Sequence, residues 1–275
     1  MSLTIDKRNT VIEFKNKSVT WRNSYELNKY VSEFSKRKAY LSFSGGKDSV
    51  GCYLYMKETG FWDDIQLVFY QDVPDLSFAN ESMAYYEKIW NTKIIQLPSP
   101  ATISWMQKGI FQSPYTNMVI KKYRNFLRPA SLDNTDIWIR EDKKEEYCYL
   151  GTGVRMADGI NRRGVILQNG GLRDKVKKFY PCFDLTDKEV YEIIKHHNVK
   201  LPYDYAVWGR SFDGEQYRFI KDLYLQLPED YEQIKAFFPE IETVLYRYAV
   251  KHTDKLFLSK DEILIEQKLL HNQKK

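Results

Sequence analysis

Short apolar runs alternate with amphipathic segments over the first hundred residues, and this alternation predicts the secondary structure there. Residues 39–43, 65–70 and 93–97 are largely apolar, as strands of a buried parallel sheet are. Between them, residues 49–57 and 77–90 repeat apolar side chains at helical spacing. Strands and helices in this alternation predict an α/β fold with a parallel sheet and right-handed crossovers.

The segment before the first of these strands is predicted to add a hairpin and a helix. Residues 1–22 alternate loosely between apolar and polar, which predicts a short hairpin. Residues 24–37 carry an apolar stripe at helical spacing, with Ser24 as the expected N-cap. In the helix over 49–57, the side chains expected to face the core are Val50, Tyr53, Leu54 and Met56.

The second half of the chain is less regular at first and then becomes helical. Residues 98–146 contain four prolines, which interrupt regular structure, and the apolar run at 147–150 predicts the next strand. Further on, Thr186 and Glu189 have the spacing of a capping box, which predicts the start of a helix. The predicted architecture is an α/β domain over residues 36–212, between an N-terminal extension over 1–35 and a helical C-terminal extension over 213–275.

Composition and charge narrow the class of protein. The chain has 275 residues, 43% of them hydrophobic, and a formal net charge of +5, which suits an anionic ligand. Its polar N-terminus is unlike a signal peptide, and its apolar runs are shorter than the roughly 18 residues that a membrane span needs. We therefore expect a cytoplasmic protein without a membrane partner.

The cysteines argue against a metal centre carried by this chain alone. Cys52, Cys148 and Cys182 lie far apart, without the paired spacing that zinc sites and iron–sulfur clusters normally show. Three reduced and mostly buried thiols are the expected state.

One short stretch carries the clearest chemistry. Ser44-Gly45-Gly46-Lys47-Asp48-Ser49 lies where a predicted strand passes into a predicted helix. Backbone amides at such a turn, together with the positive end of the helix dipole, form an anion site, to which Lys47 adds a positive charge. The stretch fits neither the dinucleotide-binding fingerprint nor the Walker A loop.

This stretch resembles the S-G-G-x-D-S loop of the ATP pyrophosphatases, the PP-loop, at every defined position. The resemblance implies a parallel-sheet sandwich of the adenine nucleotide alpha hydrolase type that cleaves ATP between its α- and β-phosphates. It implies nucleotide binding by Ser42 and by residues 44–49, with Lys47 and Asp48 in catalysis. Asp48 either helps to hold Mg²⁺ through water or orients the loop by accepting backbone hydrogen bonds.

A second stretch resembles one branch of that superfamily, which contains PAPS reductase and the small subunit of ATP sulfurylase. That branch carries a G-x-R-x-x-E-S-x-x-R segment, which Gly153, Arg155 and Arg162 match. Asp158 stands at the position of the glutamate in this segment, and Gly159 at the position of the serine. Residues 179–205 are also similar to that branch, so the resemblance spans about residues 36–215.

The branch resemblance implies further site residues. Arg155 and Arg162 would hold the acceptor or the α-phosphate, because a guanidinium binds phosphate or sulfate in bidentate fashion; the alternative is two solvated surface arginines. Gly153 is expected beside the nucleotide. Asp72 lies either near the ribose or in a cap of the turn before Pro74.

Two differences from PAPS reductases determine which reaction is expected. Residues 254–275 contain no cysteine, whereas a PAPS reductase attacks sulfur with a cysteine in its C-terminal tail. The PP-loop at residues 44–49 is also intact, whereas that of PAPS reductases is usually degraded. The prediction is an ATP- and Mg²⁺-dependent adenylyl transferase of sulfur metabolism that activates sulfate or a nucleic-acid group. The first alternative is a non-catalytic adenine-nucleotide-binding module or a subunit of a larger complex, and PAPS reductase proper ranks last.

The sequence predicts ATP as a ligand but does not identify the acceptor. A partner subunit and a homo-oligomer are both compatible with it. The basic and aromatic residues 121–128 suit either nucleic acid or an ordinary helix with one core face, and the helix is favoured.

Overall fold

A six-stranded sheet organises the first of two compact units, Met1–Trp105 with Leu127–Phe212. The computed structural model describes residues 14–16, 19–123, 139–212, 214 and 217–252. The sheet has the order β5-β4-β3-β6-β8-β7 and is parallel except for the β7–β8 pair. Its strands are β3 (Lys38–Ser42), β4 (Asp64–Gln71), β5 (Ile95–Pro98), β6 (Tyr149–Thr152), β7 (Leu172–Arg173) and β8 (Lys178–Phe179). A separate antiparallel hairpin is formed by β1 (Phe14–Asn16) and β2 (Val19–Trp21), as predicted.

Helices follow the strands in this unit, and the predicted α/β class with a parallel sheet is confirmed. They are α1 (Ser24–Phe34), α2 (Lys47–Thr59), α3 (Ser77–Trp90), α4 (Pro100–Gln107), α6 (Ile160–Asn169), α7 (Asp187–His196) and α8 (Tyr203–Trp208), while α5 (Pro114–Tyr123) belongs to the second unit. The predicted helix over 77–90 has the predicted bounds. Helix α4 was not predicted, whereas α5 ends in residues 121–123 of the stretch for which a helix was favoured.

The strands alternate between two apolar layers because successive side chains of a strand point to opposite faces. On β3, Ala39 and Leu41 join the larger core cluster, whereas Tyr40 joins a smaller one with Val68 and Leu150. The larger cluster also takes side chains from α1, α2 and α7, so it lies between the sheet and these helices.

One detail of the predicted helices was wrong, and one was confirmed. The N-cap of α1 is Asn23, whose side chain accepts from the Glu26 backbone N–H at 2.8 Å, while Ser24 is buried and its hydroxyl lies 2.9 Å from that of Tyr55. In helix α2, the predicted core residues Val50, Tyr53, Leu54 and Met56 are buried as expected, within a stretch that is buried continuously from Ser49 to Met56. The helix is also packed so closely on α7 that a methyl group on Gly51 would lie 2.7 Å from Val190 Cγ1.

The second compact unit, Met106–Phe126 with Asp213–Lys275, is helical in its described part. It contains α5 and the C-terminal helices α9 (Tyr217–Gln226), α10 (Pro228–Phe237) and α11 (Glu242–His252), which confirms the predicted helical C-terminal part. Its buried apolar side chains are Phe219, Ile220, Leu223, Tyr231, Ile234, Phe238, Ile241 and Leu245. The predicted boundaries at 36 and 213 stay a prediction.

Two predictions fall on the edges of the described chain. Residues 121–123 close helix α5, whereas residues 124–128 of the basic and aromatic stretch lie outside the described residues. Among the helices that the structure describes, none is long and apolar enough to cross a membrane.

Candidate active site

The glycine turn, Ser44–Ser49, lies at the carboxyl edge of the sheet, beside the point where the strand order reverses. Strand β3 is flanked by β4 on one side and by β6 on the other, and its last residue, Ser42, pairs with Val68 and Thr152. Open α/β sheets bind ligands at such a reversal, outside the carboxyl ends of the strands. The turns that follow β3 and β6 therefore flank the expected binding crevice.

Hydrogen bonds between its own serines hold the glycine turn in shape. The Ser49 hydroxyl donates to the Gly46 carbonyl at 2.9 Å and accepts from the Ser44 backbone N–H at 3.2 Å. The two serine hydroxyls lie 3.2 Å apart, and the Gly46 N–H donates to the Ser44 hydroxyl at 3.3 Å. Helix α2 then begins at Lys47, and no described side chain caps it.

Glycine is required at two positions of this turn for different reasons. Gly45 has a φ of +75°, in the left-handed region that glycine adopts without a steric penalty. Gly46 has an ordinary φ of −74°, but a methyl group there would lie 2.0 Å from the Ser211 hydroxyl. Glycine is therefore needed at position 46 because Ser211 packs closely against it, and not because of an unusual backbone conformation.

Gly153 follows β6 and lies directly against the first turn of α2. A methyl group at Gly153 would meet the Asp48 carbonyl oxygen at 2.8 Å and the Ser49 nitrogen at 3.1 Å. Both contacts are to backbone, which cannot rotate away. Gly153 thus brings the turn after β6 and the glycine turn together.

Four charged side chains form a closed ring of ion pairs at this junction. Lys47 Nζ lies 2.7 Å from Asp48 Oδ1 and 2.7 Å from Asp187 Oδ1. Arg155 Nη2 contacts the same two oxygen atoms, at 2.7 and 2.8 Å. Asp187 is the first residue of α7, so the ring joins two helix starts to the turn after β6.

Arg155 is the buried member of this ring, with a side chain only 1% exposed. Its Nη2 also contacts Asp158 Oδ1 at 2.9 Å, and Asp158 Oδ2 accepts from the Arg155 backbone N–H at 2.7 Å. Because one guanidinium nitrogen carries two protons, three carboxylates share them. Its Nε–H is buried without a hydrogen-bond partner among the described residues.

Arg162 occupies a different environment. Its side chain is 56% exposed, and Nη1 lies 3.2 Å from Asp158 Oδ2. Asp158 therefore bridges the two arginines. Gly159 has a φ of +148° and a ψ of 163°, a conformation almost restricted to glycine, so a serine at this position would be strained.

The ring shifts the pKa values of Lys47, Arg155 and Asp187. Burial acts to lower the pKa of Lys47 and of Arg155, but hydrogen bonds led by the one to Asp187 outweigh it and raise both pKa values. Hydrogen bonds from Lys47 and Arg155 lower the pKa of Asp187 to about 2. At neutral pH all three groups are charged.

The remaining predicted residues lie at the same edge of the sheet. Ser42 ends β3, and Asp72 follows the last residue of β4. Asp72 is half-buried, and the Thr102 hydroxyl donates to its Oδ1 at 3.4 Å. The predicted site residues thus lie at the end of β3, in the turns that follow β3, β4 and β6, or in the helices α2 and α6 that come after β3 and β6.

Sequence reasoning missed Asp187 as a site residue. The capping box of Thr186 and Glu189 is present as predicted, but it predicts only where the helix begins and gives no role to the neighbouring Asp187. The sequence feature that could have indicated a role is the position of Asp187, at the first residue of a helix that follows β8, the strand paired with β6.

The cysteines show no sign of reactivity. Cys52, Cys148 and Cys182 are free and buried, as expected. Burial raises the pKa of Cys148 to about 11, and a hydrogen bond to Cys52 together with burial raises that of Cys182. Thiols in such surroundings are poor nucleophiles at neutral pH.

Comparisons with known proteins give only remote likenesses. No protein-family profile matches the chain, and no curated protein matches it. It is similar to the NH3-dependent NAD synthetase from Campylobacter jejuni, with a TM-score of 0.42 and 11% identity over 86% of this chain and 97% of that one.

Two further solved structures are similar at the same level. For the glutamine-dependent NAD⁺ synthetase from Acinetobacter baumannii in complex with ADP, the TM-score is 0.40 and the identity 15%; the match covers 86% of this chain but only 46% of that one. For the U34-tRNA thiolase from Methanococcus maripaludis with its 4Fe–4S cluster, the TM-score is 0.38 and the identity 13%, over 80% of both chains.

Proposed function

We propose that this chain is a PP-loop ATP pyrophosphatase that cleaves ATP between the α- and β-phosphates and transfers the adenylyl group to an acceptor. The observation that carries the proposal is the glycine turn itself. It has the S-G-G-x-D-S sequence, lies beside the reversal of strand order, and opens a helix that no described side chain caps. Such a helix start binds anions through its amides and its dipole.

The leaving pyrophosphate would bind at the glycine turn. Gly45 and Gly46 let the backbone approach its oxygens closely, and the amides at the start of α2 donate to them. Lys47 supplies the mobile positive charge that stabilises the negative charge developing on the leaving group. To reach the phosphates, its ammonium exchanges one of its two carboxylate partners for a phosphate oxygen.

Asp48 fits the role of a Mg²⁺ ligand. Its Oδ1 is occupied by Lys47 and Arg155, while Oδ2 has no hydrogen-bond partner among the described residues and the side chain is 35% exposed. No cluster of three or more metal-binding side chains exists in the described part of the chain. One carboxylate together with nucleotide phosphates is the usual way to hold Mg²⁺, which would neutralise phosphate charge there.

The two arginines take different roles in this proposal. Arg155 is buried and shared by three carboxylates, so it acts as a positioning residue for Lys47 and Asp48. Arg162 is exposed at the rim and is the arginine suited to an anionic acceptor or the α-phosphate. Asp72 would lie on the ribose side, and the acceptor would be sulfate or a nucleic-acid group, as in the PAPS reductase branch.

Pyrophosphate release from ATP and Mg²⁺ tests this function, measured with sulfate, tRNA and DNA offered separately as acceptors. Release that one acceptor stimulates, and that falls at least about 100-fold in Lys47→Ala and Ser49→Ala, is the expected result. Sulfite formed from PAPS would instead identify a reductase.

A nucleotide-binding module without turnover is the second candidate. The observation in its favour is charge balance: Lys47, Arg155 and Arg162 are matched by Asp48, Asp158 and Asp187, so the side chains add no net charge. ATP binding that Lys47→Ala abolishes, without pyrophosphate release with any acceptor, would favour this candidate.

A further inference from the structure

The Lys47 ammonium is held by one face of helix α7 as well as by its own helix. Its Nζ lies 2.7 Å from Asp187 Oδ1 and over the Tyr191 ring, 5.8 Å from the ring centre. Asp187 and Tyr191 are four residues apart on α7, so they share one face of that helix. A cation this close to an aromatic ring is attracted by its negative face. Lys47 therefore has two partners on a helix other than the one that would bind pyrophosphate.

The second carboxylate partner of Lys47 lies on α2 itself. Asp48 Oδ1 is also 2.7 Å from Lys47 Nζ, and Asp48 belongs to the helix start at which the anion would bind. An ammonium that keeps Asp48 stays at that start, whereas Asp187 and Tyr191 hold it towards another helix. The partners on α7 are therefore the ones that compete with a bound anion for Lys47.

The Asp187 carboxylate can lose Lys47 at little cost. Its side chain is 63% exposed, against 35% for Asp48, so water replaces the lost partner more easily. Its Oδ1 keeps the contact with Arg155 Nη2 at 2.8 Å. Asp187 also lies in the first turn of α7, where the helix dipole favours a negative charge. The exchange of Asp187 for a phosphate oxygen thus leaves the carboxylate with a cation, a helix start and water.

We propose that Asp187 and Tyr191 hold Lys47 before an anion binds at the glycine turn, and that bound pyrophosphate takes Lys47 from them. This inference rests on the proposed function, because it concerns the lysine of the same anion site. Asp187 acts through Lys47 and is therefore a positioning residue. The affinity for the anion is lower than the site alone would give, because the contacts on α7 must first be broken.

Titration of inorganic pyrophosphate into wild type and Asp187→Asn by calorimetry tests the inference. The variant weakens the competing contact, so pyrophosphate is expected to bind about two- to fivefold more tightly, the range that a partly exposed ion pair allows. Glu192→Gln is the matched control, because it removes the same charge from the same helix at a carboxylate that pairs with Lys188 instead. Its affinity is expected to stay within about 1.5-fold of wild type, because solvent and salt screen an exposed charge.

The same comparison in a Lys47→Met background separates competition for Lys47 from the loss of a negative charge. If Asp187 acts through Lys47, the gain from Asp187→Asn disappears once the ammonium is absent. Tightening of equal size in both backgrounds would assign the effect to the charge of Asp187 alone and overturn the inference. Unchanged or weaker binding by Asp187→Asn in the wild-type background would overturn it as well.

Tyr191→Leu gives a second reading that involves no change of charge. It removes the ring from Lys47 and is expected to tighten pyrophosphate binding about twofold, as an exposed cation–π contact allows. Tyr191→Phe keeps the ring and is expected to bind like wild type. This pair decides if Asp187→Asn does not fold or if Lys47→Met binds too weakly to compare, and equal affinities of Tyr191→Leu and Tyr191→Phe would then overturn the inference.

The two proposals fail in different ways. Tighter binding by Asp187→Asn that depends on Lys47, with no ATP turnover by any form of the protein, would sink the proposed function and leave this inference standing. Pyrophosphate release from ATP with equal affinities in wild type and Asp187→Asn would do the reverse. Pyrophosphate that binds to none of these proteins would overturn the inference.

Discussion

The turns after β3 and β6 lie side by side but are built in different ways. The glycine turn after β3 is held by hydrogen bonds among Ser44, Gly46 and Ser49, all within six residues. The turn after β6 is held by Arg155, whose partners include Asp48 and Asp187, far away in the chain. The first turn offers backbone donors to a ligand, whereas the second fixes the charges around them.

The difference assigns ligand binding to the glycine turn and the positioning of Lys47 and Asp48 to the turn after β6. A loop made by local hydrogen bonds keeps its shape without the rest of the site, while Lys47 and Asp48 depend on a buried cation from the turn after another strand. We therefore expect stability to depend strongly on the turn after β6, and ligand affinity to depend most on the glycine turn.

Replacing Arg155 is expected to have the largest effect on stability. Arg155→Met removes the buried cation that three carboxylates share and leaves Asp158, whose side chain is 10% exposed, without it. Because Asp48 and Asp187 are more exposed to solvent, we expect a cost of about 3 kcal/mol, at the lower end of the range for breaking a buried ion pair. The free energy of unfolding, measured by urea denaturation, reports the loss.

Arg162→Met is the matched control for that change. Both arginines contact Asp158, but the pair of Arg162 is exposed, and such pairs contribute at most about 1 kcal/mol. Equal losses in the two variants would contradict the assignment of Arg155 as the organising residue.

The close approach of the two turns is tested by Gly153→Ala. The added methyl group would meet the backbone of Asp48 and Ser49, so either turn must shift, at a cost of about 1–3 kcal/mol. Thermal unfolding of the variant measures this cost.

Gly164→Ala provides the opposite expectation within α6. Its methyl group would have nothing within 4 Å, so a helical alanine should stabilise the protein by about 0.5–1 kcal/mol. If Gly153→Ala behaved like Gly164→Ala, the two turns would not be in contact.

The smallest expected effect is a pH dependence from Asp187. Its pKa is held at about 2 by Lys47 and Arg155, below the value of about 4 in an unfolded chain. The stability it contributes is therefore complete above about pH 4 and is lost as the pH falls towards 2. Because the side chain is 63% exposed, this contribution is at most about 1 kcal/mol.

Asp187→Asn should remove this acid-labile part of the stability, measured as unfolding free energy between pH 5 and pH 2. Glu192→Gln on the same helix is the control, because Glu192 pairs with Lys188 at 3.9 Å on the surface. Parallel curves for wild type and Asp187→Asn would show that Asp187 contributes nothing to the ring.

The sheet and the glycine turn could be predicted from the sequence because both depend on local patterns. Continuous apolar runs specified the parallel strands β3 and β4. The turn chemistry of Gly45 and Gly46 is likewise contained in a few adjacent residues. The N-cap of α1 was placed one residue too late, at Ser24 instead of Asn23, because both residue types cap helices well.

The ring of ion pairs could not be predicted, because its members come from three separate segments. Arg155 was expected to contact a ligand, and its sequence gives no sign that it is buried among carboxylates. Asp187 was visible only as a residue within a capping box. The close packing of Ser211 against Gly46 likewise depends on how the chain returns to the glycine turn.

The most direct test of the central claim is the identity of the products formed from ATP and Mg²⁺ in the presence of a stimulating acceptor, followed by phosphorus NMR. The account predicts pyrophosphate, together with AMP or an adenylylated acceptor, and the loss of both products in Lys47→Ala. ADP and inorganic phosphate as the products would contradict it, because the chain would then cleave the bond between the β- and γ-phosphates.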